Sequence, residues 1–169
     1  MVNIREALLR DLPAILDIYN DAIKTLTATF DLEEQTIEER KVWFEKYGGD
    51  FPLIVAKLDG KVAGYCCLSP FRDKAAYSRT TELSLYISSE FRGQGIGNAL
   101  MEDIMKRAAD LGYHTVISSI TGGNEASVKL HKKFGFEFVG NFKEVGYKFD
   151  EWQDVHFYQL MLNTEKTKG

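Results

Sequence analysis

Glycines alternate at Gly93, Gly95 and Gly97 in the stretch Phe91-Arg92-Gly93-Gln94-Gly95-Ile96-Gly97-Asn98, between the strand-like run TELSLYIS and an apolar segment of helical period. Strand, glycine turn and helix start in that order make an anion site. The first N–H groups of a helix have no intrahelical acceptor, and the helix dipole favours negative charge at that end. Glycine lets the chain turn sharply and bring those N–H groups against a ligand. Two nucleotide motifs fail here. GxxxxGK[ST] is absent, because no Lys-Ser or Lys-Thr follows the glycines. GxGxxG ends at Asn98, where its last glycine belongs, and no βαβ unit with a suitably placed acidic residue is apparent. A tight strand-to-helix connection without any ligand would use the same glycines, so context decides.

The elements that must position this turn are legible in outline. Residues 2–6 read as a strand, and Asp11 with Pro13 marks a helix start. Leu12, Ile15, Leu16, Tyr19, Ala22 and Ile23 share one face of that helix to about residue 24. Thr36-Ile37-Glu38-Glu39 fits a capping box, opening a second helix expected to run to Gly48-Gly49. PLIVAKL and KVAGYCCL form a hairpin across Asp59-Gly60. SPFRDKAAYSR reads as a loop or irregular strand end, and RTTELSLYIS as a strand with Glu82, Ser84 and Tyr86 on one face and Leu83, Leu85 and Ile87 on the other. After the glycines, Ile96, Leu100, Met101, Ile104, Met105 and Ala108 form a helical stripe that Gly112 ends. HTVISSI is a buried strand, Asn124 caps a helix that stops at Gly135, and FEFVG and DVHFYQLML supply two more strands. The order βααβββαβαββ indicates one mixed α/β (α+β) sheet with helices on both faces. One domain is expected over residues 1–163, followed by a polar, frayed tail at 164–169.

Arg92-Gly93-Gln94-Gly95-Ile96-Gly97 resembles the R/Q-x-x-G-x-G/A signature of the GNAT N-acetyltransferases. IYNDAIKTLTATF, TTELSLYIS, NEASVKLHKKFGF and VGYKFDEWQDVHFYQL extend the resemblance over nearly the whole chain. Within that superfamily the chain is most similar to the phosphinothricin and methionine sulfoximine acetyltransferases. The resemblance implies splayed central strands and acetyl-coenzyme A as acyl donor, with no metal. The backbone of Leu85, Tyr86 and Ile87 would pair with the pantetheine arm, and the segment from Arg92 through Gly93, Gln94, Gly95, Ile96 and Gly97 to Asn98 would take the pyrophosphate. Asn124 matches a cofactor-contacting asparagine, although helix capping alone also explains it. Glu82 matches the catalytic glutamate, a proton acceptor for the attacking amine; an ion-paired strand glutamate is the plain alternative. His131 stands where many relatives carry a tyrosine as general acid for the thiolate; it is either that acid or a surface histidine of its helix. By family position Leu85 supplies the oxyanion N–H. Arg72 resembles a substrate arginine, suited to an α-carboxylate, and Phe30, Tyr77 and Arg79 lie in segments that line the family's pocket.

The implied activity is acetyl transfer to the α-amine of a small amino-acid analogue by direct attack in a ternary complex, with detoxification as the role. A cationic amine or peptide N-terminus as acceptor, or an acyl-coenzyme A sensor without turnover, are the alternatives. Asp31, Glu33 and Glu34 favour the cationic one. A formal charge of −4 speaks against a general nucleic-acid partner. No apolar run approaches 18 residues, so no membrane span is expected. Adjacent Cys66 and Cys67 give no disulfide framework and point to the cytoplasm. His114 and His156 have no ligand-like spacing with His131. The family also implies a homodimer, with Trp152 in a segment near the contact.

Overall fold

The computed structural model describes residues 1–162; the expected polar tail lies outside them. Strands β1 (Asn3–Glu6), β2 (Leu53–Leu58), β3 (Lys61–Pro70), β4 (Thr80–Ile87), β5 (Thr115–Thr121), β6 (Glu137–Lys148) and β7 (Glu151–Met161) form one seven-stranded sheet in the order β1-β2-β3-β4-β5-β7-β6. Helices α1 (Leu12–Thr25) and α2 (Ile37–Phe44) cover one face, packing Ile15, Ile18, Trp43 and Phe44 on Leu53, Val55, Tyr65 and Cys67. Helices α3 (Ile96–Asp110) and α4 (Glu125–Lys133) cover the other. There Ile96, Leu100, Met101 and Ile104 are fully buried against Ile54, Ala56, Leu68 and Leu83. The helical stripe expected of α3 is thus its buried face, with Met105 half-buried at the margin.

Asp59-Gly60 closes the β2–β3 hairpin, with φ 53° and 76° at the two turn residues. Those positive values are what a two-residue hairpin loop matched to strand twist requires. Thr36 caps α2 with the expected box, its side chain accepting from Glu39 N–H. The helix ends at Phe44, before the glycines; Lys46 and Tyr47 then donate to Trp43 and Phe44 in tighter i→i+3 turns.

The larger departure is at the C-terminal hairpin. FEFVG belongs to a strand that continues to Lys148 and turns through Phe149-Asp150, at φ 56° and 58°, into β7 from Glu151. A bulky residue in the left-handed region is costly, so Phe-Asp gives no turn signal of the kind Asp-Gly gives. Register shifts at Phe138/Gly140 and Phe142/Gly146 also break the alternation that would have marked the strand.

The feature that organises the site is where pairing stops. β4 and β5 run parallel but pair only from Thr80/Thr115 to Glu82/Ile117. Beyond that point β4 stays with β3 as far as Ile87, and β5 stays with β7 as far as Thr121. The central strands splay, leaving facing backbone edges on either side of a gap.

Candidate active site

The glycine turn sits at the wide end of this gap. Gly93 and Gly95 adopt φ 75° and 80°, and Gly95 is the N-cap of α3. A β-carbon added at either meets nothing within 4 Å, so the turn opens outward. Ala99 N–H is bonded to Gly95 carbonyl oxygen, which leaves the N–H groups of Ile96, Gly97 and Asn98 at the helix start without intrahelical acceptors. Gly97 serves a different end: its β-carbon would stand 3.0 Å from Leu130 Cδ2 and 3.2 Å from Ile87 Cδ1, so it permits the close approach of α3 to α4 and β4. Ile96 is buried in the core, while Arg92 and Gln94 are exposed. Lys133 Nζ donates to Asn98 Oδ1 at 2.8 Å, bringing a cation to the turn from α4.

From the turn a cleft of about 640 Å³ runs between the strands. Leu85, Tyr86 and Ile87 line one wall and Gly123, Asn124 and Leu130 the other. It leads to a smaller cavity of about 250 Å³ that reaches Glu82, Ser84, Ser118 and His131. Leu85, Tyr86, Asn124 and Ser127 border both. Asn124 does cap α4, its Oδ1 accepting from Ser127 N–H at 3.3 Å. Its place on the cleft wall keeps a ligand contact open as well.

Glu82 occupies the last position at which β4 pairs with β5 and is half-buried. Burial raises its carboxyl above the ordinary glutamate value, and the charge of Arg72 pulls it part of the way back. His131 is not a surface residue of its helix. It is 4% exposed, packed edge-on against Phe136. Burial lowers its pKa, opposed by the bond to the Ser127 carbonyl. Nδ1 lies 2.7 Å from Ser127 carbonyl oxygen and Nε2 lies 2.8 Å from Ser118 Oγ. Sequence reading passed over both serines. The signals were there: Ser127 is one helical turn before His131, and Ser118 alternates with Val116 and Ile120 on the α4 side of β5.

The expected substrate group is divided. Arg72, Tyr77 and Arg79 line a separate open hollow of about 510 Å³ with Asp50, Lys74 and Tyr113. Of these, Arg72 acts on Glu82 through its charge. Phe30 turns away from that hollow and seats its ring on Gly146 of β6, where an added β-carbon would stand 2.5 Å from the ring.

The loop before Phe30, part of a segment that the resemblance implies lines the pocket, forms the roof of the cleft. Its carbonyls are held one by one from the sheet. Lys148 Nζ donates to those of Leu26 and Thr29 at 2.6 and 2.8 Å, Thr121 Oγ1 to Thr27 at 2.6 Å, and Tyr86 OH to Ala28 at 3.3 Å. Tyr19 OH bonds Thr29 Oγ1 and donates to Asp31.

A splayed mixed sheet with an open glycine turn at the head of its gap is the architecture of an acyl-coenzyme A-dependent transferase. Residues 4–157 match the Acetyltransferase (GNAT) domain, and the chain belongs to that family of acetyltransferases. It is 36% identical over 167 residues to the L-methionine sulfoximine/L-methionine sulfone acetyltransferase of Pseudomonas paraeruginosa, covering 98% of this chain and 97% of that one. An N-acetyltransferase structure from Staphylococcus aureus Mu50 superposes with a TM-score of 0.93 at 43% identity, over 96% and 99% of the two chains. A GNAT superfamily phosphinothricin acetyltransferase from Sinorhizobium meliloti, in complex with AcCoA, superposes with a TM-score of 0.93 at 34% identity, over 96% and 89%. No helix among the described residues is long and apolar enough to cross a membrane.

Proposed function

We propose that this chain transfers an acetyl group from acetyl-coenzyme A to the α-amine of a small amino-acid analogue of the phosphinothricin or methionine sulfoximine/sulfone type. The observation that carries the reading is the continuous path from the glycine turn, through the gap between β4 and β5, to Glu82. The chain's own groups suit a phosphorylated pantetheine: open glycine N–H groups at the head and an unpaired strand edge along the arm. When bound, the thioester supplies the activated acyl group.

Arg92 to Asn98 would hold the pyrophosphate, the backbone of Leu85 to Ile87 would align the pantetheine arm, and Asn124 would touch it from α4. The N–H of Leu85 would face the developing oxyanion. Glu82 would accept a proton from the amine; an α-amine of pKa near 8 is only about one-tenth neutral at pH 7. Arg72 would pair with the acceptor's carboxylate, with Tyr77 and Arg79 further out. Holding amine and thioester together itself supplies much of the rate.

The test is free-thiol release from acetyl-coenzyme A against methionine sulfoximine, phosphinothricin, methionine sulfone, spermidine, an aminoglycoside and a short peptide. Turnover confined to the first three is expected. Turnover with only spermidine, the aminoglycoside or the peptide would discard the amino-acid analogue as acceptor.

The chain pairs with a second copy in this reading, through the hairpin of β6 and β7, which exposes Phe138, Phe142, Tyr147 and Trp152. Sedimentation of a species of twice 19.2 kDa, converted to monomer by Phe142→Glu, checks it. Free, buried Cys66 and Cys67 fit a reducing cytoplasm, where such a transferase would inactivate toxic amino-acid analogues.

A further inference from the structure

His131 offers the cavity no free ring nitrogen. Nδ1 faces the backbone carbonyl of Ser127 at 2.7 Å, with Ser127 Oγ farther off at 3.4 Å. A carbonyl only accepts, so Nδ1 carries the ring proton. In the neutral ring Nε2 is therefore an acceptor, and the group it faces at 2.8 Å is the hydroxyl of Ser118. Burial favours that neutral ring. Ser118, Ser127, Phe136 and Tyr158 pack around it, Tyr158 on β7 being titratable, and Glu82 lines the same cavity. A base oriented by a backbone carbonyl and bonded to a serine hydroxyl is an arrangement built for moving protons. Ser118 also lines the cavity that holds Glu82.

We propose that Ser118 is the group that exchanges protons with the acyl-transfer centre, and that His131 works through it. The inference rests on the acetyl-transfer reading above. An α-ammonium loses two protons on becoming an amide nitrogen. One leaves through Glu82, and the other ends on the thiol. As the nitrogen–carbon bond forms, Ser118 Oγ takes the second proton while its own passes to His131 Nε2. As the carbon–sulfur bond breaks and its electron pair leaves with sulfur, Nε2 returns a proton to Oγ and the Ser118 proton passes to the sulfur. Serine and imidazole end as they began. Without Ser118, a neutral His131 has no proton on Nε2 to give and no hydroxyl through which to receive one.

The first readout is independent of turnover. In ¹⁵N NMR of the full chain at neutral pH, with His131 assigned by its loss in His131→Gln, the ring should be protonated at Nδ1 and bare at Nε2. The Nε2 resonance should shift in Ser118→Ala and return towards its original position in Ser118→Thr. A ring protonated at Nε2, or an Nε2 resonance unmoved by Ser118→Ala, overturns the proposal.

The second readout is kinetic, with an amine that the wild type acetylates. Ser118→Ala should lower kcat about 100-fold with coenzyme A affinity unchanged by calorimetry, and Ser118→Thr should restore most of it. Ser118→Ala/His131→Gln should be no slower than the slower single variant, since the two act as one unit. Undiminished kcat in a folded Ser118→Ala protein overturns the relay and leaves the acetyl-transfer reading standing. Absence of turnover by the wild type with every amine overturns both.

Discussion

On the α3 side of the sheet the buried layer directly under the helix is mainly aliphatic, with Ile54, Leu68, Leu83, Ile96, Leu100 and Ile104 packed together. On the α1 side the sheet instead carries Tyr65, Cys67, Ser69, Glu82 and Tyr86, under Tyr19, Trp43 and Tyr47. Arg40 is buried among these rings, its guanidinium carbon 3.5 Å from the Trp43 centroid and 4.0 Å from that of Tyr19. Its Nη2 donates to Tyr65 OH at 2.7 Å, and its Nε has no hydrogen-bond partner among the described residues. Close aliphatic packing fixes backbone position, which is what a glycine turn at the head of α3 needs. Hydroxyls and charges set polarity, which is what a proton-accepting glutamate needs. The difference teaches that the sheet is built for rigidity under α3 and for polarity under α1, with the Ser118–His131 pair as the polar exception on the α4 side.

The most damaging way to probe the contrast is a cavity on the aliphatic side. Leu100→Ala should cost about 3 kcal/mol, within the usual range for a fully buried leucine, measured by urea unfolding. A cost below about 1 kcal/mol would mean that face is not close-packed. On the polar side, Glu82→Gln should leave stability and coenzyme A affinity in place while kcat falls about 100-fold. The pH profile sharpens this. In the proposed role Glu82 acts as its carboxylate, and burial raises its pKa against the pull of Arg72. Activity should therefore fail, as pH drops, above the range of an ordinary glutamate, and the glutamine variant should lack that limb. Lys148→Met removes both bonds to the roof carbonyls of Leu26 and Thr29 and should raise the amine KM about tenfold, only part of the two bonds' worth because the freed loop can re-solvate. An unchanged KM would make the roof a bystander. Smallest, Tyr47→Phe removes a hydroxyl bonded to Ser69 Oγ at 2.8 Å and should cost about 1 kcal/mol.

The same division separates what the sequence disclosed from what it hid. The stripe of α3, the Asp59-Gly60 turn and the glycines after β4 are local patterns, set by residues a few positions apart. The roof is invisible in that way, because Thr121 and Lys148 reach it across 94 and 122 residues of chain. Their acceptors are backbone carbonyls, which every residue has. His131 was marked by the family resemblance, but Ser118 is an ordinary residue of a strand until the fold places its hydroxyl 2.8 Å from the ring. Arg72 was legible by type, but its hollow with Asp50, Lys74 and Tyr113 depends on loops whose composition carries no period. The extent of β6 was hidden by a turn made from Phe149 and Asp150, residues that do not announce one.

The gap between β4 and β5 also bears on how the chain survives in solution. Facing strand edges with free N–H and C=O groups invite pairing with another chain. Here they lie inside the sheet beneath a roof bolted down by Lys148, Thr121 and Tyr86, out of reach of a neighbour in solution. A ligand that seats itself as the absent strand would then hold the two halves of the sheet together. The melting temperature should rise with coenzyme A concentration, by the equivalent of about 2.7 kcal/mol at a hundred times Kd, so that the supply of acyl donor tunes the stability of the fold as well as the rate of the reaction.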